Sequence, residues 1–199
     1  DDGIQPIHES VSTIEIRDTG YRVIRGNTLS HEDLQRFARL KILFICTGNT
    51  CRSPMAEVLF RKHVAQRLHC SINDIRKSGV EVQSAGISAW GGSPASDKAI
   101  HAMQQIGIDL HGHTSQTLTE KLLQEAEIVW TMTAAHRSAI LAQFPNFTDR
   151  VHMLSPRNQD VLDPFGGTQE AYNQCAQQIR EHLDARIDIL DFGNSSHIK

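Results

Sequence analysis

Residues 40–54 read LKILFICTGNTCRSP, and three kinds of local structure follow one another within them. The run from Leu40 to Ile45 is almost entirely apolar, which predicts a strand buried on both faces of a sheet. Ser53 and Pro54 form a helix start, with Ser53 as the N-cap and Pro54 at the first helical position. The stretch therefore predicts a strand, a short loop and a helix that ends near Leu68.

The loop between this strand and helix carries a cysteine and, six residues later, an arginine. Its backbone N–H groups can converge on one anion, and the helix N-terminus adds to the positive potential there. In that geometry Cys46 is placed as a nucleophile and Arg52 as a planar donor to two phosphate oxygens. The converging dipoles favour the thiolate form of Cys46. Gly48 and Asn49 tolerate the positive φ angles of a tight loop. We interpret the loop as the site of a cysteine-dependent phosphatase; a buried strand-end cysteine beside an unrelated arginine is the alternative.

Strand and helix patterns alternate along the rest of the chain. Further strands are predicted over 79–84, 128–132 and 151–154, and further helices over 93–106, 118–126, 134–143 and 168–190. Such alternation is typical of a parallel sheet with crossover helices. We therefore predict an α/β fold, a three-layer sandwich with a four-stranded parallel sheet and helices on both faces. Sheets of this kind bind ligands at the carboxyl ends of their strands, where the cysteine loop lies.

The stretch CTGNTCRSPMAE, residues 46–57, resembles the signature of the low molecular weight protein tyrosine phosphatase family. That family carries its general acid far downstream, in an Asp-Pro pair followed by an aromatic residue. Here the matching residues are Asp163, Pro164 and Phe165. The resemblance covers roughly residues 40–190 and implies one phosphatase domain.

The resemblance also implies a role for each residue of the site. Cys46 attacks phosphorus, Arg52 stabilises the transferring phosphoryl group, and Asp163 protonates the leaving atom and then activates water. Ser53 donates to the Cys46 sulfur, and His113 supports the loop held by Asn49. Trp90 and Phe165 form walls of the substrate pocket. The residues expected to bind phosphate around the nucleophile are Thr47, Gly48, Asn49, Thr50, Cys51 and Ser53. No metal or cofactor is required, because the loop itself supplies the positive potential.

The residue at position 50 bears on the substrate. Many tyrosine phosphatases of this family carry a bulkier aliphatic residue there, whereas Thr50 together with DPFGG at residues 163–167 resembles the bacterial protein-arginine phosphatases. A hydroxyl beside the P–N bond suits the polar, cationic guanidinium of phosphoarginine. We therefore expect phosphoarginine in proteins as the substrate. Two alternatives stay open: a phosphotyrosine-specific phosphatase, and a non-catalytic module that binds phosphorylated residues.

Composition bears on partners and location. The chain has 199 residues and a formal net charge of −3, without a long basic run, which argues against nucleic acid as a partner. No apolar stretch approaches the roughly 20 residues of a membrane span, so no membrane partner is expected. A catalytic thiolate with three other cysteines fits a reducing cytoplasm. We expect phosphorylated proteins as partners and a monomer or weak dimer. Cys51 either forms a reversible disulfide with Cys46 or is only part of the loop wall.

Residues 1–39 lie outside the alternating pattern and form an N-terminal extension. Residues 12–16 and 21–25 predict a β-hairpin, and Ser30 caps a short helix that ends at Ala38. The segment 12–40 is similar to the C-terminal end of threonylcarbamoyl-AMP synthase domains; a plain hairpin extension is the alternative. Because the sequence begins with Asp rather than Met, we expect it to be part of a longer chain. Residues 191–199 are predicted to be a flexible tail.

Overall fold

The chain divides into two compact units, and the N-terminal hairpin belongs to the first of them. The structure, a computed structural model, describes residues 13–17, 20–25, 39–187 and 190. Strand β1 (Thr13–Arg17) pairs antiparallel with β2 (Gly20–Arg25), as the sequence predicts for this segment. The second unit spans Leu40–Asp191. The predicted helix from Ser30 to Ala38 and the predicted tail, residues 191–199, lie outside the described residues.

A four-stranded parallel sheet organises the larger unit. Its strands are β3 (Leu40–Cys46), β4 (Val80–Gly86), β5 (Ile128–Thr131) and β6 (Val151–Met153). They lie side by side in the order β4-β3-β5-β6, and every neighbouring pair is parallel. The predicted α/β class and its four-stranded parallel sheet are therefore confirmed.

Helices pack against this sheet. They are α1 (Arg52–Arg67), α2 (Asp97–Gln104), α3 (Glu120–Glu125), α4 (Ala134–Gln143) and α5 (Gln169–Ile187), with short 3-10 turns at Ile72–Asp74 and Pro145–Phe147. Two of them start at threonine caps. The Thr119 hydroxyl accepts from the backbone N–H of Leu122, and the Thr133 hydroxyl accepts from that of His136.

The alternating side chains of β3 supply a core on each face of the sheet. On one face Leu43 and Ile45 pack in a buried cluster with Leu123, Ala126 and Ile140.

On the other face Phe44 lies 5.7 Å from Phe60 and 5.5 Å from Trp130, measured between ring centroids. Because β3 is buried on both faces, its end is held rigidly, and that end carries Cys46.

The start of α1 differs from the prediction. The helix begins at Arg52, and Cys51 occupies the N-cap position without a side-chain capping bond inside the described part of the chain. Ser53, predicted as the cap, is instead the second residue of the helix. Its hydroxyl lies 3.0 Å from Cys46 Sγ, so it serves the loop rather than the helix end.

The start of α2 also differs. Ser93 and Pro94 predict a helix start, but the helix begins at Asp97. The backbone before it bonds elsewhere: Ser93 O accepts from the N–H of Ser115 at 2.8 Å, and the Ser96 N–H donates to Thr50 O at 2.9 Å. These contacts hold residues 93–96 against the loops that surround the cysteine.

Candidate active site

The cysteine loop lies where the strand order of the sheet reverses. The chain leaves β3 for β4 on one side, whereas β5 lies on the other side of β3. In open parallel sheets such a reversal forms a crevice at the carboxyl ends of the strands, where ligands bind. Cys46 is the last residue of β3 and is 3% exposed, so the sulfur lies at the bottom of this crevice.

Two donors face the Cys46 sulfur. The backbone N–H of Asn49 donates to Sγ at 3.2 Å, and the Ser53 hydroxyl lies 3.0 Å from it. Ser53 Oγ accepts from Asn49 Nδ2 at 2.9 Å, so its own proton is available as a donor. The sulfur is a closer acceptor for that proton than the carbonyl oxygen of Ala85, which lies 3.4 Å away. Hydrogen bonds of this kind stabilise a thiolate. The first N–H groups of α1 have no acceptor inside the helix and are available to an anion beside the sulfur.

Asn49 ties the loop to the rest of the fold. Both Gly48 and Asn49 were candidates for a positive φ angle in this loop. Asn49 has a φ of 55°, whereas the φ of Gly48 is not positive. Its Nδ2 donates to Ser84 Oγ as well as to Ser53, and its Oδ1 accepts from the N–H of Gln116, all at 2.9 Å. The loop is therefore held from α1, from β4 and from the segment before α3.

His113 contacts the loop at the same residue. Its Nε2 lies 2.7 Å from the carbonyl oxygen of Asn49. A carbonyl oxygen only accepts, so Nε2 carries the proton in this contact. The structure thus places His113 beside the loop, at the position that the family resemblance implies.

Arg52 and Asp163 meet at the mouth of the crevice. The guanidinium of Arg52 is buried (4% exposed), and its Nη2 donates to Asp163 Oδ2 at 2.5 Å. Its Nη1 donates to the carbonyl oxygen of Val161 at 3.2 Å. The buried Nε has no hydrogen-bond partner among the described residues, and an unsatisfied buried N–H is costly unless a ligand accepts from it. Asp163 is half exposed and also accepts from the N–H of Phe165 at 3.2 Å.

Large side chains stand exposed on loops of this unit. Trp90 is 87% exposed and Phe165, two residues after Asp163, is 77% exposed. Leu162, which sequence reasoning missed, is also largely exposed and precedes Asp163 directly. Thr50 lies in the loop itself, half-buried, with its hydroxyl 3.7 Å from Cys51 Sγ. Exposed apolar side chains beside a polar site suit contact with a substrate.

The cysteines other than Cys46 are buried or half-buried. All four cysteines of the chain lie in described residues and are free. Cys51 Sγ lies 3.3 Å from Ser96 Oγ and 3.4 Å from the hydroxyl of Tyr172. Burial raises the pKa of the Cys175 thiol to about 12, so that thiol stays protonated and unreactive. A disulfide between Cys46 and Cys51 stays a prediction.

His136 is a further residue of the site that sequence reasoning missed. It is 5% exposed, and its Nε2 lies 2.9 Å from the hydroxyl of Thr47. Its Nδ1 lies 2.9 Å from the hydroxyl of Thr133. Burial, and then the charge of Arg52, lower the pKa of His136 to about 4, so the imidazole is neutral. Its position after β5, the strand that pairs with β3, is the signal that could have identified it.

A polar cavity of about 320 Å³ lies behind the loop. Glu57 and Ser84 line it, and the Ser84 hydroxyl donates to the Glu57 carboxylate at 2.7 Å. Burial raises the pKa of Glu57. Neither Cys46 nor Arg52 lines this cavity, so the reacting groups belong to the crevice on the other side of the loop.

The described part of the chain has neither a metal-binding cluster nor a membrane-spanning helix. No group of three or more His, Cys, Asp or Glu side chains there could hold a metal ion. Of the described helices, none is both long enough and apolar enough to cross a membrane.

Known phosphatases are similar to this chain over most of their own length. A protein-arginine-phosphatase of Bacillus subtilis is 40% identical over 148 residues, which are 72% of this chain and 92% of that protein. A probable low molecular weight protein-tyrosine-phosphatase, EpsP of Ralstonia solanacearum, is 36% identical over 147 residues, which are 73% and 92% of the two chains. A solved YwlE arginine phosphatase variant with a phosphorylated active-site serine superposes with a TM-score of 0.65 at 38% identity, over 74% of this chain and 93% of that one.

The family match defines how far this similarity extends. It begins at residue 41, so the resemblance of residues 12–40 to a threonylcarbamoyl-AMP synthase domain has no support in it. Residues 41–191 match the family described as low molecular weight phosphotyrosine protein phosphatase, and this chain belongs to that family.

Proposed function

We propose that the protein is a cysteine-dependent phosphatase that removes phosphate from arginine side chains of proteins through a cysteinyl-phosphate intermediate. The observation that carries the proposal is the meeting of three groups in one crevice. Cys46 lies at the bottom with two donors on its sulfur, and Arg52 is paired with Asp163 at the mouth. We assign the activity to residues 40–190.

Substrate binding replaces the internal ion pair of the site. The phosphoryl oxygens accept from the loop N–H groups and from Arg52, whose Nε is free to donate. This releases the Asp163 carboxyl group from Nη2 and leaves it beside the leaving group. Phosphate and arginine are then held before any bond changes, which is the main source of catalysis in phosphoryl transfer.

The reaction then takes place in two displacements. Once it is released from Arg52, the Asp163 carboxylate takes up a proton from solvent. The Cys46 thiolate attacks phosphorus, the S–P bond forms and the P–N bond breaks, while Asp163 gives this proton to the leaving guanidino nitrogen. In the second step Asp163 takes a proton from water, the water oxygen attacks phosphorus and the S–P bond breaks. The Ser53 hydroxyl and the Asn49 N–H stabilise the sulfur as it leaves as thiolate.

The preference for phosphoarginine rests on Thr50 and on relatives. Thr50 places a hydroxyl in the loop, which suits the polar guanidinium of phosphoarginine. An aliphatic side chain at this position would instead favour the aromatic ring of phosphotyrosine. The 40% identical relative from Bacillus subtilis is named a protein-arginine-phosphatase. Phosphotyrosine is the second candidate, because EpsP is named a probable tyrosine phosphatase and the exposed Trp90 and Phe165 rings could hold a phenyl ring between them.

Two peptides of one sequence, phosphorylated on arginine or on tyrosine, test the proposal. We expect faster release of phosphate from the phosphoarginine peptide, and we expect Thr50→Ile to reverse the order. Cys46→Ser should abolish turnover of both peptides while it retains binding of tungstate, a phosphate analogue. A preference for phosphotyrosine would refute the substrate assignment, and turnover by Cys46→Ser would refute the mechanism. Tungstate binding without turnover of either peptide would indicate a binding module.

The cytoplasm is the compartment that we propose for this activity. The mechanism needs Cys46 as a free thiol, and all four cysteines are free. A reducing compartment keeps thiols in that state.

A further inference from the structure

We propose that His136 is a positioning residue for Arg52 and acts through the hydroxyl of Thr47. This inference rests on the proposed function, because it assigns Arg52 to the phosphoryl group. The contact joins the first turn of α4 to the cysteine loop, two segments that are far apart in sequence and adjacent in the fold.

A chain of hydrogen bonds leads from His136 to Arg52. Arg52 Nη2 donates to Thr47 Oγ1 at 3.4 Å, and Thr47 Oγ1 lies 2.9 Å from His136 Nε2. A guanidinium only donates, so Thr47 Oγ1 accepts from Arg52 and keeps its own proton for the imidazole. His136 Nδ1 then donates to Thr133 Oγ1, 2.9 Å away. Each group in the chain therefore donates to the next, from Arg52 to Thr47, from Thr47 to His136 and from His136 to Thr133.

The imidazole can accept from Thr47 because it is neutral. Three charged groups bear on it: Arg52 lowers its pKa, whereas Asp163 and Asp160 raise it. Burial outweighs the two carboxylates and keeps the proton off Nε2. Asp160 is engaged by α4, since its Oδ1 accepts from the N–H of Ala134 at 2.8 Å.

Thr47 needs this support because it is exposed at the mouth of the loop. Its hydroxyl rotates freely unless a fixed group accepts its proton, and His136 is fixed by burial and by Thr133. When phosphate displaces Asp163 from Arg52 Nη2, Thr47 is the acceptor that remains on that nitrogen. The contact therefore holds the guanidinium plane in place during phosphoryl transfer.

Two amide variants separate this role from simple packing. In His136→Gln the amide reaches the position of Nε2 and keeps an acceptor for Thr47. In His136→Asn the amide reaches only the position of Nδ1 and keeps only the contact with Thr133. With p-nitrophenyl phosphate as substrate, we expect His136→Asn to lower kcat about tenfold, the loss of one hydrogen bond. His136→Gln should retain most of the activity, and KM should change less than kcat in both.

A double-mutant cycle and a control complete the test. Thr47→Val should lower kcat about as much as His136→Asn, and the double variant should be no slower than either. Thr47→Ser, which keeps the hydroxyl, should restore activity. His152→Asn is the matched control, because His152 is exposed on β6 and its Nε2 lies 3.1 Å from the carbonyl oxygen of Asp149, three residues away. Thermal unfolding checks that each variant is folded.

The outcomes distinguish this inference from the proposed function. Equal kcat losses for the Asn and Gln variants, or additive losses for His136 and Thr47, would overturn the positioning role while wild-type turnover stands. If the wild type hydrolysed no phosphate compound, the proposed function would fail. Affinity of the same variants for vanadate, which mimics the transferring phosphoryl group, would then test the contact, with about tenfold weaker binding expected for His136→Asn alone.

Discussion

Gly86 is the residue at which one methyl group should disable the site without unfolding the chain. It ends β4 directly opposite Cys46 in the sheet register. A Cβ built at this position would lie 2.5 Å from the carbonyl oxygen of Thr47 and 3.0 Å from the backbone nitrogen of Asn49. Both neighbours are backbone atoms of the cysteine loop, so the loop itself has to move if alanine replaces Gly86.

The size of the movement follows from these contacts. An ordinary Cβ contact begins at 3.4 Å, so Thr47 O must retreat by about 0.9 Å. A displacement of about 1 Å in a catalytic geometry costs on the order of 100-fold in rate. Overpacking of this kind also costs about 1–3 kcal/mol in the free energy of unfolding. We expect Gly86→Ala to lower kcat on p-nitrophenyl phosphate about 100-fold and to remain folded.

The assay compares kcat and urea unfolding for Gly86→Ala and a glycine control. Gly112→Ala is suitable, because a Cβ there meets nothing within 4 Å among the described residues. It should match the wild type in both measurements. If Gly86→Ala were folded and within threefold of wild-type kcat, the loop would be more compliant than the packing argument requires, and the reasoning would be wrong.

Three further predictions concern other residues of the site. Asp163→Asn should slow hydrolysis of phenyl phosphate about 100-fold and that of p-nitrophenyl phosphate much less, because only the poorer leaving group needs a proton; equal losses would contradict its role as the acid. His136 has a pKa of about 4 when folded and 6.5 when unfolded, so stability is lost as pH falls through this range. Between pH 7 and pH 4.5 the free energy of unfolding, measured in urea, should fall by about 2.5 kcal/mol more in the wild type than in His136→Gln; an equal loss in both proteins would refute the assignment. Asn49→Ala removes three side-chain hydrogen bonds and strains a φ of 55°, so it should destabilise the fold by about 3 kcal/mol, whereas exposed Asn146→Ala should not.

Elements with local signals were predictable from the sequence. The helix predicted over 134–143 has those bounds in the structure, because Thr133 caps it through its own side chain. The strand that ends at Cys46 was equally predictable, since a short, continuous apolar run is typical of a strand buried on both faces of a parallel sheet. The chemistry of the loop stays a prediction from residue types at fixed spacing. The structure shows that Arg52, which follows the loop, contacts the distant Asp163.

Features that depend on long-range contacts were not predictable. Serine is a common N-cap residue, which is why Ser53 was predicted as the cap, but the contact with the Cys46 sulfur determines where its hydroxyl points. Ser93 and Pro94 suggest a helix start, yet bonds to Ser115 and to the loop keep that segment extended. His136 lies 89 residues from Thr47, and no local pattern in the sequence indicates their contact.

The ion pair between Arg52 and Asp163 means that the unliganded crevice carries its own counter-ion. The fold already holds the Asp163 carboxylate 2.5 Å from the guanidinium, so this contact loses little further entropy and a weakly bound monovalent anion such as chloride competes poorly. A phosphoryl dianion brings two charges and accepts from the loop as well, which lets it displace the carboxylate. In the proposed reaction, the pair that neutralises a buried cation thus also selects anions by charge and shape, and it releases Asp163 only when a phosphoryl group binds.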